Sequence, residues 1–458
     1  MYIEQLYTNC LAEAAYYIES EGEAAIIDPL RETEPYVDLA KARGAKIKYV
    51  FETHFHADFV SGHIDLSRQV GAPIIYGPDA TTEYDVINAH DGEVFKLGKV
   101  AIKVLHTPGH TPESACFLLL DETGREHAVF TGDTLFVGDV GRPDLLDGTM
   151  SSETLASLMY DSLRTKIKTL PDEVIVYPAH GPGSACGKNI GKETVSTIGE
   201  QKRFNYALQD MSREEFIKKL TDGITPPPAY FFEDARINKE GYDPIDKVIA
   251  ANSTPLSPES LRLEVEQGAI ILDTRTADAF EKGFVAGSVN IGLNGQFAVW
   301  VGTLIDISNR LVLVTEPGKE SETILRLARV GYENVAGYLE GGANGYDQNL
   351  ETIHSVDERG VVPEIEAGAT VLDVRKQNEW NVSHLEGATF LPLSEFPNNL
   401  NGLDRDAPYI VHCGGGYRSM TAISIMKNHG FTDLINVYGG FKTLENAGLR
   451  TESESVAM

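Results

Sequence analysis

His54 and His56 stand two residues apart in THFHAD, and Asp58 follows two residues later. Similar groups recur at His110 in HTPGH, Asp133 in TGD and His180 in AHG. Eight of the twelve histidines fall within the first 180 residues. Imidazole and carboxylate donors together suit zinc or non-haem iron rather than calcium or magnesium. An isolated H-x-H would be an ordinary surface or core feature. Here four clusters each follow a short apolar run: KYVFE, AIKVL, AVF and VIVYP. Strand ends on one sheet edge converge in space, so these loops are expected to share a pocket. His54, His56, Asp58, His110, Asp133 and His180 are therefore the metal-site candidates.

A second reactive group lies far along the chain, in YIVHCGGGYRSMTAISIMKN. Cys413 ends a strand pattern, and a helix pattern opens behind it. Backbone N–H groups of the Gly414, Gly415, Gly416 and Tyr417 loop, with the helix N-terminus, are expected to stabilise a thiolate and lower its pKa. Those four residues are the expected substrate contacts. Arg418 either braces the loop or meets an anionic substrate. Cys186, six residues after His180 and near Lys188, has two readings: a relay thiol of lowered pKa, or a quiet loop cysteine. Arg142 in GDVGRPD also has two readings, a clamp for a substrate carboxylate or phosphate and an ion pair within its own loop. Cys10 and Cys116 lie in strand-like runs and read as core.

The elements that must position these groups are those of a multi-domain α/β chain. Its 458 residues predict about three domains, and 42% apolar with 23% charged residues excludes wholesale disorder. A net charge of −29 argues against nucleic-acid or membrane-surface partners, and an anionic substrate must meet a few local cations. No run approaches the length of a membrane span, and the first twenty residues have no basic leader. Four cysteines are too few for a disulfide framework, so a cytoplasmic protein is expected. Residues 1–253 alternate strand runs with His-, Gly- and Asp-rich loops and end in a stretch expected to be an extended connector. Beyond it AIILDTRTADAFEKGFVAGSVNIGL (269–293) repeats as ATVLDVRKQNEWNVSHLEGATFLPL (369–393), with an offset of 100. Two parallel α/β modules, 254–350 and 351–458, are the economical reading. Aligning LVTEPGKESETI with IVHCGGGYRSMT puts Glu316 at the place of Cys413 and Ser321 at that of Arg418. A carboxylate cannot replace a thiol nucleophile, so the middle module is expected to be a scaffold.

THFHAD, HTPGHTPES, FTGDTLF and YPAHG resemble the motifs of the metallo-β-lactamase fold superfamily, which implies an αββα sandwich with a metal at a sheet edge. That superfamily usually places a second-metal His where Phe59 stands here, which favours one metal over the dinuclear zinc site of glyoxalase II. THFHADFVSGH resembles the persulfide dioxygenase branch. Its mononuclear Fe(II) ligands fall on His54, His110 and Asp133, with His56, Asp58 and His180 around them. The C-x₄-R loop is similar to that of the rhodanese family, so the paired modules resemble a pseudo-rhodanese followed by an active rhodanese. The whole order resembles persulfide dioxygenase–rhodanese fusions. The resemblance implies one Fe(II) per chain and oxidation of a small thiol persulfide by O₂ to sulfite. Transfer of sulfane sulfur through Cys413 would then give thiosulfate, in sulfide detoxification. The alternatives are a zinc thioester hydrolase with an accessory rhodanese module, a sulfur-sensing adaptor, and a rhodanese running in reverse to feed the iron domain. The sequence leaves open which thiol carries the persulfide, and metal-domain pairing into a homo-oligomer is the working expectation.

Overall fold

The structure is a computed structural model and describes residues 1–145, 150–224 and 226–454. It divides into two compact units, Met1–Val248 with Ala328–Gly331, and Ile249–Leu327 with Tyr332 onward. Among the described residues no helix is long and apolar enough to cross a membrane.

The first unit is an αββα sandwich of two six-stranded sheets. One sheet runs in chain order through β1 (Tyr2–Thr8), β2 (Glu13–Ser20), β3 (Glu23–Ile27), β4 (Lys46–Phe51), β5 (Ile74–Tyr76) and β6 (Ile87–Asn88). The other contains β7 (Val94–Leu97), β8 (Val100–His106), β9 (Ala115–Leu120), β10 (Glu126–Gly132), β11 (Ile175–Pro178) and β12 (Ser196–Thr197), also in sequence order across the sheet. Alternation along β2 shows why both faces are covered. Ala14, Tyr16 and Ile18 enter the core between the sheets, with Phe51, Ile102, Phe117 and Phe130. Ala15 and Tyr17 point the other way, against Tyr36, Val37 and Ala40 of the helix Glu34–Arg43 and Leu66 of the helix His63–Val70. Outside the second sheet, Leu118, Val129 and Val176 pack on Ala156 and Met159 of Ser152–Ser162 and Phe216 of Arg213–Thr221. Helices therefore flank both sheets, as period-2 strands buried on two faces require.

The stretch before residue 253 is not the extended connector expected from its prolines and aromatics. Tyr230–Glu240 and Ile245–Asn252 are helices. Tyr230, Phe231, Asp234 and Asn238 form the buried side of the first. Their spacing is a helical one that the PPP cluster just upstream obscured.

The second unit contains two parallel five-stranded sheets. The first comprises β13 (Pro255–Leu256), β14 (Ile270–Asp273), β15 (Ser288–Asn290), β16 (Leu311–Val314) and β17 (Val335–Leu339), ordered β13-β17-β16-β14-β15. The second uses β18 (His354–Val356), β19 (Thr370–Asp373), β21 (Thr389–Phe390), β22 (Tyr409–His412) and β23 (Leu434–Val437), ordered β18-β23-β22-β19-β21. The short pair β20 (His384–Leu385) and β24 (Thr451–Glu452) stands apart. The equivalent order in both sheets gives the offset-100 repeat its structural meaning. In both copies an Asp-x-Arg pair stitches the end of a strand to the end of the following helix. Arg275 donates to Asp273 and to the Gly283 carbonyl, and Arg375 donates to Asp373 and to the Ser383 carbonyl.

The two modules share a buried seam. The helix Tyr417–Asn428, which follows Cys413, buries Met420 against the stacked rings of Phe280 and Phe284 of the middle module. Ser424 accepts the Asn290 N–H, and the Tyr417 hydroxyl donates to the Gly292 carbonyl at 2.8 Å. A methyl group on Gly295 would lie 2.5 Å from the Tyr417 ring. Replacing Gly295 by Ala should therefore push Tyr417 out of its seat and destabilise this unit by about 1–3 kcal/mol. Denaturant unfolding should detect the loss, and Tyr417→Phe should lose only the hydrogen bond, about 1 kcal/mol.

Candidate metal and thiol sites

Four strand ends from both sheets supply the first site. His54 follows β4, His110 follows β8, Asp133 follows β10 directly, and His180 follows β11. All four side chains are buried. Donor atoms of His54, His110 and Asp133 lie within 4.8 Å of one another, as do those of His56, Asp58 and His180. Asp133 lies between the groups. Its Oδ2 is 3.4 Å from His110 Nε2 and 4.0 Å from His54 Nε2, and its Oδ1 is 3.5 Å from His180 Nε2.

Hydrogen bonding determines which nitrogen each ring presents. The His110 Nδ1 lies 2.7 Å from the Arg142 carbonyl, and the His180 Nδ1 lies 3.1 Å from the Ala12 carbonyl. A carbonyl only accepts, so each Nδ1 carries its hydrogen and, in the neutral ring, Nε2 keeps its lone pair. His54 reaches the same state through Thr53. The Thr53 hydroxyl donates to the Asp28 carboxylate at 2.9 Å, so at 2.9 Å from His54 Nδ1 it accepts. Burial, with the neighbouring histidines, holds His54 well below the usual imidazole range and so keeps it neutral. Both Asp133 oxygens and His180 Nε2 are buried without a hydrogen-bond partner. Orphaned donors of this chemistry, converging within metal-ligand reach, fit a divalent transition metal.

His56 behaves differently. Its Nε2 lies 3.2 Å from Asp28 and 3.6 Å from Glu52, carboxylates outside the triad. Its ring packs 4.3 Å from the fully buried ring of Phe59. Asn238, on the helix taken for a connector, was missed from the sequence altogether. Its amide donates to the His56 and Phe59 carbonyls and accepts from the Ser61 N–H, each at 2.8 Å. One buried side chain thereby holds the chain from His56 to Ser61.

Two expected residues turn out otherwise. Arg142 donates through Nε and Nη2 to its loop neighbour Asp144, both at 2.7 Å, and its guanidinium also reaches the Ala185 carbonyl. The ion-pair reading holds, and Arg142 contributes to the site through the carbonyl that orients His110. The thiol of Cys186 does share donor distance with Asp133 and His180. Burial and the charges of Asp58 and Asp133 push it well above the usual thiol range. The expected lowering by Lys188 is corrected, because desolvation and two carboxylates outweigh a cation whose Nζ donates elsewhere, to the Lys219 carbonyl.

In the second unit Cys413 caps β22, and its Sγ accepts the Gly416 N–H at 3.1 Å. Gly416 takes φ 98°, a left-handed turn that aims this N–H at the sulfur. Ser419 Oγ lies 3.7 Å from the sulfur, and the Phe441 N–H donates to the Cys413 carbonyl. Gly414 and Gly415 are exposed at the loop rim. Tyr417, expected to contact substrate, instead extends to the Gly292 carbonyl of the middle module. Arg418 is paired bidentately with Glu379, at 2.5 and 2.8 Å. The equivalent loop of the middle module presents Glu316 in place of a thiol, exposed together with Pro317, Gly318 and Lys319.

A model of the metallo-beta-lactamase superfamily matches residues 8–180, and one of the rhodanese-like domain matches 257–349 and 362–447. The human mitochondrial persulfide dioxygenase ETHE1 is 33% identical over 209 residues, covering 45% of this chain and 74% of that protein. The chain belongs to the metallo-β-lactamase superfamily. Behind that domain it carries two rhodanese-like domains, which makes it a fusion of the persulfide dioxygenase–rhodanese kind. Other members of the superfamily are similar too. A probable hydroxyacylglutathione hydrolase of Schizosaccharomyces pombe is 34% identical over 210 residues, 41% of this chain and 78% of that protein. A crystal structure of a metallo-beta-lactamase from Staphylococcus aureus subsp. aureus COL matches at 32% identity and TM-score 0.63, over 74% of this chain and 98% of that one.

Two measurements test these geometries. A methyl at Gly141 would lie 2.4 Å from the Asp133 carbonyl and 2.9 Å from His110 Nδ1. Gly141→Ala should thus weaken metal binding about 10–100-fold with all donors intact, read as metal retained against a chelator. The second concerns His412, which burial pushes down to about 4. The unfolded chain takes up this proton first, near pH 6.5, so stability falls as pH drops from about 6.5 to about 4, by at most ~3 kcal/mol. Unfolding curves at pH 7 and 4.5 should show a smaller drop for His412→Asn than for the wild type.

Proposed function

We propose that the first domain oxidises a low-molecular-weight thiol persulfide with O₂ at a single Fe(II) held by His54, His110 and Asp133, and that Cys413 transfers sulfane sulfur to make thiosulfate. The overall chemistry balances as R-SSH + O₂ + H₂O giving R-SH and sulfurous acid, which ionises to sulfite. The observation that carries this reading is the donor set. Two histidines and one carboxylate would leave positions open on a bound metal, and Phe59 packs on His56 where the motif of the superfamily usually continues with a second-metal histidine. Iron bound there supplies a site where substrate sulfur and O₂ meet and electrons pass between them. The protein's part is to hold and orient. The Arg142 carbonyl and the Asp28–Thr53 pair fix the imidazole tautomers. His180 and Asp58, 3.4 Å apart, stand beside Asp133. Presenting both reactants to one another in fixed orientation is worth about 7 kcal/mol or more of barrier.

In the last domain the Cys413 thiolate takes the outer sulfur of a second R-SSH, releasing the thiolate of R-SH, and the Cys413 persulfide so formed offers that sulfur to sulfite. The new S–S bond forms as the Cys413–sulfur bond breaks, and the Gly416 N–H receives the departing thiolate. The middle domain, with Glu316 in place of the cysteine, is a scaffold that seats Tyr417 and the helix behind the loop.

The His56–Asp58–His180 group favours a second reading, a dinuclear zinc thioester hydrolase. Metal analysis separates the two: one iron per chain supports the dioxygenase, and two zinc ions support the hydrolase. With Fe-loaded protein and thiol persulfides, Asp133→Ala should lose both iron and O₂ uptake, and full uptake in that variant would overturn the assignment. Cys413→Ser should keep O₂ uptake and shift the early product from thiosulfate to free sulfite, measured against a no-enzyme control. Thiosulfate at the wild-type rate above that control would refute the coupling.

A further inference from the structure

The internal repeat separates what the rhodanese-like fold needs from what the cysteine needs. The Asp-x-Arg stitch is present in both copies with the same partners, so it serves the fold. A second Arg–carboxylate pair is present in one copy alone. Arg418 and Glu379 hold each other bidentately beside Cys413. At the offset of 100, Glu379 corresponds to Ala279, and the loop alignment pairs Arg418 with Ser321. The copy that lacks the cysteine therefore lacks both members of this ion pair.

The pair lies beside the cysteine loop. A methyl at Gly414, the residue after Cys413, would lie 3.2 Å from Arg418 Nη2 and 3.5 Å from Glu379 Oε1. The two side chains are 17% and 33% exposed, so solvent reaches them. Glu379 is also held from its own helix, because its Oε2 accepts the Lys376 N–H at 3.1 Å. Arg418 Nη1 and Nη2 both spend hydrogen bonds on this carboxylate, the geometry that a sulfur oxyanion would otherwise take.

We propose that Glu379 is the specificity-determining residue of the thiol site, a tethered carboxylate that occupies Arg418 and must be outcompeted by an incoming anion. A free monoanionic carboxylate gains nothing by the exchange. A dianionic sulfur oxyanion, such as thiosulfate or sulfite, carries the extra charge needed to win it. This inference rests on the sulfur-transfer reading of Cys413. In the donor half-reaction the Cys413 thiolate attacks the outer sulfur of thiosulfate. A Cys–S bond forms, the S–S bond breaks, and sulfite leaves with the electron pair. Two anions approach each other in that step, so the local charge that Glu379 sets governs encounter more than bond-making.

The test uses the full chain and three variants, Glu379→Gln, Glu379→Asp and Cys413→Ser. Glutamine keeps the shape and an oxygen for both Arg418 and Lys376 while removing one negative charge. The KM for thiosulfate, relative to that for a neutral thiol acceptor such as 2-mercaptoethanol, should fall about three- to tenfold in Glu379→Gln at low salt. The difference should close as ionic strength rises. Glu379→Asp, which retains the charge, should stay near the wild-type ratio. Calorimetric titration with inorganic sulfate, an inert dianion, should show the same gain in affinity whether or not sulfur is transferred. A ratio and a sulfate affinity that stay put or weaken in Glu379→Gln, with the fold intact by circular dichroism, would overturn the proposal. If wild-type transfer equals that of Cys413→Ser, the sulfur-transfer reading fails, and the sulfate titration still decides the role of Glu379.

Discussion

A buried imidazole can offer a metal its Nε2 lone pair only while its Nδ1–H is satisfied elsewhere. His54, His110 and His180 each meet that condition through a different acceptor: a threonine hydroxyl backed by Asp28, the Arg142 carbonyl and the Ala12 carbonyl. Those acceptors lie on segments far apart in sequence, so the metal site is assembled only when the sandwich is. The packing around them leaves no slack. Gly141 has no room for a methyl against Asp133 and His110, and Asn238 reaches from a late helix to pin three backbone groups from His56 to Ser61. The chain thus spends much of the fold on orienting a few lone pairs, which explains why so many polar groups here are buried without costing the structure its order.

The second unit solves a different problem by duplication. A cysteine at the end of a parallel strand needs a tight glycine turn and a helix start behind it, and both leave apolar surface on that helix to be covered. The middle module covers it. Phe280 and Phe284 meet Met420, and Gly292 receives the Tyr417 hydroxyl. Comparison of the two copies distinguishes two kinds of arginine pair, one repeated in both copies and one confined to the copy that bears the cysteine.

Much of this was legible in the sequence because it is local. Each metal-site residue follows a short apolar run, and the end of a buried strand is a position that periodicity reveals. The four-residue spacing from Cys413 to Arg418 and the offset-100 repeat are also properties of the linear chain, as is Glu316 at the place of the missing nucleophile. From these the two parallel modules and a shared pocket for six metal-site candidates could be read directly, whereas the αββα sandwich and the choice of His54, His110 and Asp133 among the six came from the resemblance to a known superfamily.

What stayed hidden was the choice among partners, because packing decides it. Arg142 stood near the metal residues in sequence, yet its guanidinium closes on Asp144 while its carbonyl orients His110. Lys188 suggested a low thiol pKa for Cys186, but only burial reveals that desolvation and two carboxylates set it instead. Tyr417 was expected at the substrate from its place in the loop, whereas its hydroxyl reaches Gly292, and the partner of Arg418 in the fold, Glu379, could not be read from the loop. Asn238 lay beyond a proline cluster that masked a helix. Spacing along the chain determines which residues can do chemistry. The direction each side chain faces, and the charge it meets there, depend on contacts that exist only after the sheets have closed.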